Sequence, residues 1–115
     1  MSDWRIAPIL PVRDLDAALA HYERLGFRTR SWSGGGYGFA VTDTVELHLG
    51  VVANPAEHAR GSAYLFVDDA DAVAARWTAA GVEVHPPEDT PWGMREGAVE
   101  DPDGNVIRFG SPYSL

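Results

Sequence analysis

Cysteine is absent from the 115-residue chain, which excludes disulfides and thiol chemistry and makes an intracellular, cytoplasmic location the default expectation. Long apolar runs are absent too, since none approaches the roughly 18–20 residues that cross a bilayer. The opening MSDWRIAPIL lacks the basic-then-apolar layout of a signal peptide. Basic residues are scarce, and nine Lys and Arg against seventeen Asp and Glu give a formal net charge of -8. This balance disfavours a nucleic-acid surface and suits a cationic partner.

An internal repeat relates the two halves of the chain. The segment Val12–Phe27 overlays Val67–Val82, and each copy has the pattern of a strand, a helix and a glycine. In each copy an aspartate, Asp14 or Asp69, stands where a helix N-cap would accept amide protons of the first turn. The glycines that follow the last helical turns are typical of residues that end a helix in the left-handed conformation.

Three strand patterns follow each helix. They are FRTRSWS, YGFAV and TVELHLGVV in the first half, and VEVH, EGAVE and NVIRFG in the second. The repeat therefore predicts two βαβββ modules, residues 1–53 and 62–115, joined by a connector at 54–61. Because neither module buries its sheet alone, we expect a single α+β domain, 1–115. Both modules would form one curved, mixed and largely antiparallel sheet with the helices outside.

Strand alternation predicts which side chains face the concave side of this sheet. In VELHL the aliphatic residues pack under the helices, so Glu46 and His48 face the concavity. The same rule directs Arg108 of NVIRFG to that side, together with Tyr64 and Phe66 of GSAYLFV. Packing in an ordinary core is the alternative for the two aromatics. The remaining histidines are expected on a helix surface or in loops and receive no role: His21, His58 and His85.

The two modules, with DLDAALAHYERLGF early and WGMREGAVEDPDGNVIRF late, resemble the vicinal oxygen chelate superfamily. Glyoxalase I, extradiol dioxygenases, fosfomycin-resistance enzymes and bleomycin-resistance proteins share this architecture. The resemblance covers essentially the whole chain. It implies the fold, but by itself it says little about the chemistry.

The metal enzymes of this superfamily usually take ligands from the first, fourth, fifth and eighth strands. Carried over, these positions are Ala7, His48 (or Glu46), Ser62 and Arg108. Alanine has no donor atom, serine is a weak ligand and a guanidinium repels a cation. We therefore expect no metal cofactor, apart from a metal that a bound drug carries. Arg108 has an alternative role as an ion-pair partner of Glu46 or of a second glutamate, Glu96, inside the concavity.

The bleomycin-resistance branch is the metal-free relative that sequesters its drug without degrading it. Pro8 matches the proline near the N-terminal strand that members of this branch exchange between subunits. The resemblance thus implies a homodimer in which Pro8 permits strand exchange and each groove is built from both subunits. The segment TPWG places Trp92 where these proteins stack the flat bithiazole of the drug.

The resemblance implies a groove with an aromatic wall and a polar, largely acidic surround. Planar ligands would stack on the aromatic side chains. Glu46 and His48 would meet polar or cationic parts of the ligand, and Arg108 a carboxylate or another oxygen. The implied ligand-binding residues are Trp32, Tyr37, Glu46, His48, Tyr64, Phe66, Trp92 and Arg108, with Glu88, Asp89 and Glu96 as further acidic groups.

We therefore expect a non-enzymatic, cytoplasmic protein that sequesters a cationic bleomycin-type glycopeptide and confers antibiotic resistance. Two alternatives stay open. One is a lyase, isomerase or thiol transferase of the same fold that uses a divalent metal, and the other is a binding protein for a different aromatic compound.

Overall fold

The computed structural model describes residues 3–113, and in this range two helices and eight strands follow each other in the βαβββ order, twice. The strands are Ile9–Val12 (β1), Arg28–Ser31 (β2), Tyr37–Thr42 (β3), Val45–Val51 (β4), Ser62–Phe66 (β5), His85–Asp89 (β6), Met94–Glu100 (β7) and Val106–Pro112 (β8). The α-helices are Leu15–Arg24 (α1) and Ala70–Ala79 (α2), and a 3-10 helix, Pro55–Glu57, lies between the two halves. None of the helices described is long and apolar enough to cross a membrane.

Both helices begin and end as the sequence predicts. The carboxylates of Asp14 and Asp69 each accept the backbone N–H three residues further on, at 3.1 Å, and so satisfy an amide of the first turn. Gly26 and Gly81 follow the last turns with φ of 99° and 87°, a conformation that costs a glycine nothing because it has no Cβ.

The strands form two four-stranded sheets, and the predicted fold class is confirmed. Sheet one has the order β1-β4-β3-β2 and sheet two the order β5-β8-β7-β6, with one parallel pair and two antiparallel pairs in each. In residues 3–113 no strand ladder joins the sheets, which differs from the single sheet expected from the repeat. Each sheet therefore keeps a free backbone edge at β1 or at β5.

The two modules share one hydrophobic core. The predicted alternation of core-facing and outward-facing side chains is confirmed on β4 and β8. The core-facing residues are all at most 1% exposed: Leu47, Leu49, Ile107 and Phe109. Buried side chains from both halves belong to a single cluster. The helices and the inner faces of the sheets thus share a core, and each sheet presents its other face away from that core. We call this outer surface the open face.

The DPDGN turn before β8 joins the modules through a buried hydrogen-bond network. Asn105 is fully buried, and its amide nitrogen donates to the Pro11 carbonyl at 2.9 Å and to Asp101 Oδ2 at 2.8 Å. Its amide oxygen accepts the backbone N–H of Gly61 at 2.8 Å. The Tyr22 hydroxyl donates to Asp101 at 3.0 Å, and burial together with this carboxylate raises the pKa of Tyr22. The network connects α1, β1, the connector and β8.

One strand prediction is wrong. VEVH was expected as a strand, but β6 starts only at its last residue, His85, and runs through the two prolines to Asp89. Proline lacks the N–H that a central strand needs, so a proline-containing strand is tolerated at a sheet edge or at a bulge. Both conditions hold, because β6 is an edge strand and its pairing shifts between His85 and Glu88.

The expectation that His21 lies on the helix surface is also wrong. His21 is 5% exposed and meets the Tyr22 ring edge-on, with 5.0 Å between ring centroids. In the described part of the chain its Nε2 has no hydrogen-bond partner, and burial lowers the pKa of His21, an effect that Asp101 partly opposes. The helix α1 packs on its own sheet and also against the second module, so a wider face is buried than one amphipathic stripe predicts. His58 and His85 are exposed, as expected.

Candidate functional site

The eight predicted ligand-binding residues fall into two groups, one in each module. The first-module group is Trp32, Tyr37, Glu46 and His48, and the second-module group is Tyr64, Phe66, Trp92 and Arg108. In residues 3–113 no hydrogen bond, ion pair or ring-to-ring contact joins the groups. The predicted residues therefore lie in two separate groups on one chain, and we call these groups half-sites.

On sheet one, three of these side chains form a continuous hydrogen-bonded chain. The Tyr37 hydroxyl lies 2.7 Å from His48 Nδ1, and His48 Nε2 lies 2.7 Å from Glu46 Oε2. The second carboxylate oxygen of Glu46 is 3.7 Å from the exposed guanidinium of Arg5. The hydrogen bond from His48, followed by the nearby arginine charges, lowers the pKa of Glu46, so this acid is ionised at neutral pH. The face offers fixed hydrogen-bonding groups beside an aromatic ring.

A second feature of this face is a row of side chains from adjacent strands that sequence reasoning missed. Strand pairing places Arg30 opposite Phe39, and Phe39 opposite His48. The Arg30 guanidinium carbon lies 4.1 Å from the centroid of the Phe39 ring, and the His48 ring meets the same ring edge-on at 5.0 Å. The alternation that directs Tyr37 to this face in YGFAV also directs Phe39 there, so the signal was present in the sequence.

Trp32 lies at the rim of sheet one, in the loop between β2 and β3. Its backbone N–H donates to the Tyr37 carbonyl at 2.8 Å, and its side chain is 54% exposed. The indole folds over Gly34, where an added methyl group would overlap the ring. The glycine-rich loop therefore makes room for this tryptophan.

On sheet two, an aromatic pair stands on the open face. The rings of Tyr64 and Phe66 lie 4.9 Å apart between centroids, and Phe66 is 82% exposed. Gly110 packs under Tyr64, and an added methyl group there would overlap the hydroxyl. Burial, followed by the nearby Glu96 carboxylate, raises the pKa of Tyr64, and within residues 3–113 its hydroxyl has no hydrogen-bond partner.

Trp92 extends this aromatic surface from the turn between β6 and β7. The side chain is 69% exposed, and its indole N–H donates to Glu96 Oε1 at 2.8 Å. The bond fixes the ring beside a carboxylate. Arg108 is exposed on the same sheet, opposite Tyr64. It has no carboxylate within 4.0 Å in the described part of the chain, so the alternative pairing with Glu46 or Glu96 is not found there.

The residues at the positions of the superfamily's metal ligands do not fit a divalent ion. His48 and Glu46 are hydrogen-bonded to each other, and the other positions hold Ala7, Ser62 and Arg108. Between residues 3 and 113, no three histidine or acidic side chains converge as a metal site would require. Within one described chain, a cation would have to be held by only Glu46 and His48, two donors on one strand that are already bonded to each other.

The segment before β1 forms one wall of a cleft of about 950 Å³ that also includes Glu46 and His48. The Pro8 carbonyl accepts the backbone N–H of His48 at 2.9 Å. Large apolar side chains of this part of the chain point to solvent, with Trp4 at 90%, Ile6 at 95% and Ile9 at 61% exposure. The radius of gyration is 14.7 Å, against about 13 Å for a compact domain of this length. These features describe an exposed apolar surface at the start of the described chain, of a kind that is often found at interaction sites.

Comparisons with known proteins agree with this fold. A family model for the Glyoxalase/Bleomycin resistance protein/Dioxygenase superfamily matches residues 5–109. A bleomycin resistance protein of Klebsiella pneumoniae is 30% identical over 117 aligned positions, which cover 89% of this chain and 87% of that protein.

Two solved structures are similar over nearly their whole length. The bleomycin resistance determinant encoded on transposon Tn5 superposes with a TM-score of 0.83 at 26% identity, covering 96% of this chain and 99% of the other. The bleomycin-binding protein of bleomycin-producing Streptomyces verticillus, solved with copper(II)-bleomycin, gives 0.82 at 25% identity, with 98% and 100% covered.

Proposed function

The chain belongs to the Glyoxalase/Bleomycin resistance protein/Dioxygenase superfamily, and we propose that it is a non-enzymatic protein that sequesters a bleomycin-type antibiotic. The ligand would lie in a groove formed by two copies of the chain. A metal would enter the groove only as part of the drug, as in the copper complex of the Streptomyces verticillus protein.

The observation that carries the proposal is the exposed aromatic surface of sheet two. The Trp92 indole donates to the carboxylate of Glu96, and the Tyr64 and Phe66 rings lie beside each other. In residues 3–113 no ring of sheet one contacts any of these three rings. A planar ligand gains about 0.5–1.5 kcal/mol per stacked ring beyond simple burial. A cationic ligand also gains from the adjacent carboxylate and from the net charge of -8. Flatness and positive charge together describe the ligand that this surface favours.

A second copy would bring the two half-sites together. Sheet one has a free edge at β1 and sheet two a free edge at β5, and each edge carries an exposed apolar side chain, Ile9 and Phe66. If sheet one of one copy lies beside sheet two of the other, each groove receives Trp32 and Tyr37 from one subunit and Trp92 from its partner. Pro8 immediately precedes β1 and is the position where the first strand would turn toward the partner.

The role of the first module follows from the same arrangement. Its hydrogen-bonded chain presents the ionised carboxylate of Glu46 and the ring of His48 next to the Tyr37 hydroxyl. The Glu46 carboxylate and the Tyr37 hydroxyl oxygen would accept hydrogen bonds from polar or cationic parts of a ligand whose flat part stacks on the tryptophans, and His48 would hold both groups in place. Arg108 of the partner subunit would bind a ligand oxygen.

Isothermal titration with metal-free and copper-loaded bleomycin tests the proposal. We expect saturable binding at micromolar ligand or below, with at most one site per chain. Trp92→Ala removes a stacking surface and should weaken binding about tenfold or more. The matched variant Trp92→Phe keeps a ring but loses the hydrogen bond to Glu96, and it should retain most of the affinity. Equal losses in both variants would show that stacking is not the source of the affinity.

The groove between two copies has its own test. Sedimentation analysis should give a dimer at the protein concentrations used for titration, and a monomer that binds bleomycin would contradict the shared groove. A stoichiometric divalent metal in protein purified without chelators would favour the alternative of a metal-dependent lyase, isomerase or transferase. Absence of any heat or tryptophan quenching with bleomycin would overturn the sequestration proposal itself.

A further inference from the structure

An arginine without an acidic partner stands on the open face of sheet one. The Thr29 hydroxyl bonds to Glu23 of α1, so the neighbouring residues Arg28 and Arg30 project to the opposite, open side. The Arg30 guanidinium lies over the Phe39 ring, 4.1 Å from its centroid. This cation–π contact restrains the guanidinium and reduces the entropy lost when it binds a partner.

The absence of a neutralising group distinguishes Arg30 from a structural arginine. In residues 3–113 no carboxylate lies within 4.0 Å of Arg30. By contrast, Arg95 is bound by Asp71 at 2.9 Å and by Asp89 at 3.1 Å. The charge of Arg30 does reach the face, because it contributes to the lowered pKa of Glu46. In a chain of net charge -8, a stacked and unpaired guanidinium leaves its N–H donors available to a bound molecule.

We propose that Arg30, stacked on Phe39, forms a subsite for an oxygen-rich, planar group of the ligand, such as a carboxylate, a carbamoyl or an amide carbonyl. This inference rests on the proposed function and adds the direction in which the ligand lies. Arg30 repels an ammonium group, whereas the ionised carboxylate of Glu46 on the same face attracts one. The oxygen-rich group therefore lies over Arg30 and Phe39, and a polar or cationic part of the ligand lies toward Glu46.

The guanidinium plane explains why a planar oxygen group suits this subsite. Arginine donates two parallel hydrogen bonds to a carboxylate or to a similar pair of oxygens, and a flexible lysine does not reproduce this geometry. The edge of the His48 ring on the other side of Phe39, at 5.0 Å, closes the row and limits the space toward β1.

A matched pair of small ligands tests the subsite independently of bleomycin. The probes are 2-phenylthiazole-4-carboxylate and 2-phenylthiazole-4-methanamine, which share their rings and differ in charge. Titrations use the full chain as wild type, Arg30→Gln, Arg30→Lys and Arg28→Gln. Arg28 is the control because it lies on the same face and strand, and its pairing partner, Val41, offers no ring. We expect Arg30→Gln to weaken the carboxylate about tenfold or more, Arg30→Lys to recover it only in part, and Arg28→Gln to change it less than about twofold.

Each other result overturns the subsite. Equal losses of carboxylate affinity in Arg28→Gln and Arg30→Gln, or no loss in Arg30→Gln, would each do so. Dissociation of the dimer in Arg30→Gln without a change in probe affinity would assign Arg30 to the contact between copies. If the protein binds bleomycin but the Arg30 variants bind both probes as the wild type does, only the subsite is refuted. If the carboxylate probe binds in an Arg30-dependent way but bleomycin does not bind, only bleomycin as the ligand is refuted.

Discussion

Replacement of Asn105 by alanine should destabilise the protein strongly, although this residue is remote from the aromatic surfaces. The side chain is fully buried and makes three hydrogen bonds, to the Pro11 carbonyl, to Asp101 and from the Gly61 N–H. A net contribution of about 1 kcal/mol for each bond gives a loss of about 3 kcal/mol in the free energy of unfolding. The main-chain groups of Pro11 and Gly61 would also lose a partner, which raises the loss toward about 4 kcal/mol.

Urea unfolding, followed by circular dichroism at a fixed protein concentration, measures this loss, because the stability of a dimer depends on concentration. A loss of about 3 kcal/mol corresponds to a fall in Tm of roughly 10 °C or more. The matched control is Asn54→Ala, since Asn54 is exposed and caps the 3-10 helix through one bond of 3.2 Å to the N–H of Ala56. It should cost about 1 kcal/mol or less. Equal losses in the two variants, or less than about 1 kcal/mol for Asn105→Ala, would refute the idea that the turn holds the modules together.

Two further predictions concern a buried histidine and a small residue on sheet two. Burial lowers the pKa of His21 in the folded protein below its ordinary value of 6.5. The contribution of neutral His21 to the free energy of unfolding is therefore complete above about pH 6.5, and it is lost as the pH falls through the lower pKa of the folded state. The urea midpoint of the wild type should therefore fall more than that of His21→Gln between about pH 7 and pH 5, and parallel falls would contradict this role. Gly110→Ala should displace the Tyr64 ring and weaken bleomycin binding in titrations. Gly50→Ala, whose added methyl group would meet Ile9 at 3.4 Å, should have little effect, and equal effects would show that ring position is unimportant.

The local structure could be predicted well from the sequence because it depends on neighbours in the chain. An aspartate before an apolar helical stripe determines a cap, and alternation in VELHL and NVIRFG determines which side chains are buried. The strand that contains Pro86 and Pro87 was missed because tolerance of proline depends on a strand's place at the sheet edge, which no local pattern records.

The arrangement of the half-sites could not be read from one sequence. The repeat relates His48 to Arg108, yet in the structure the two lie on separate sheets, because the modules pack through their helices and inner faces. The same packing buries His21, for which the pattern of a single amphipathic helix gives no signal. Arg30 was overlooked for a different reason, since an arginine on an edge strand reads as ordinary surface charge until the Phe39 ring beneath it is seen.

The duplicated modules, joined through a common interior, leave their two outer surfaces free to evolve separately. A substitution on one surface changes neither the packing nor the chemistry of the other, because the whole hydrophobic interior lies between them. In a symmetric dimer of two identical chains, each substitution would be present in both grooves. If the two faces form one groove between copies as proposed, a substitution in the rings of one face would leave the charged groups of the other face unchanged.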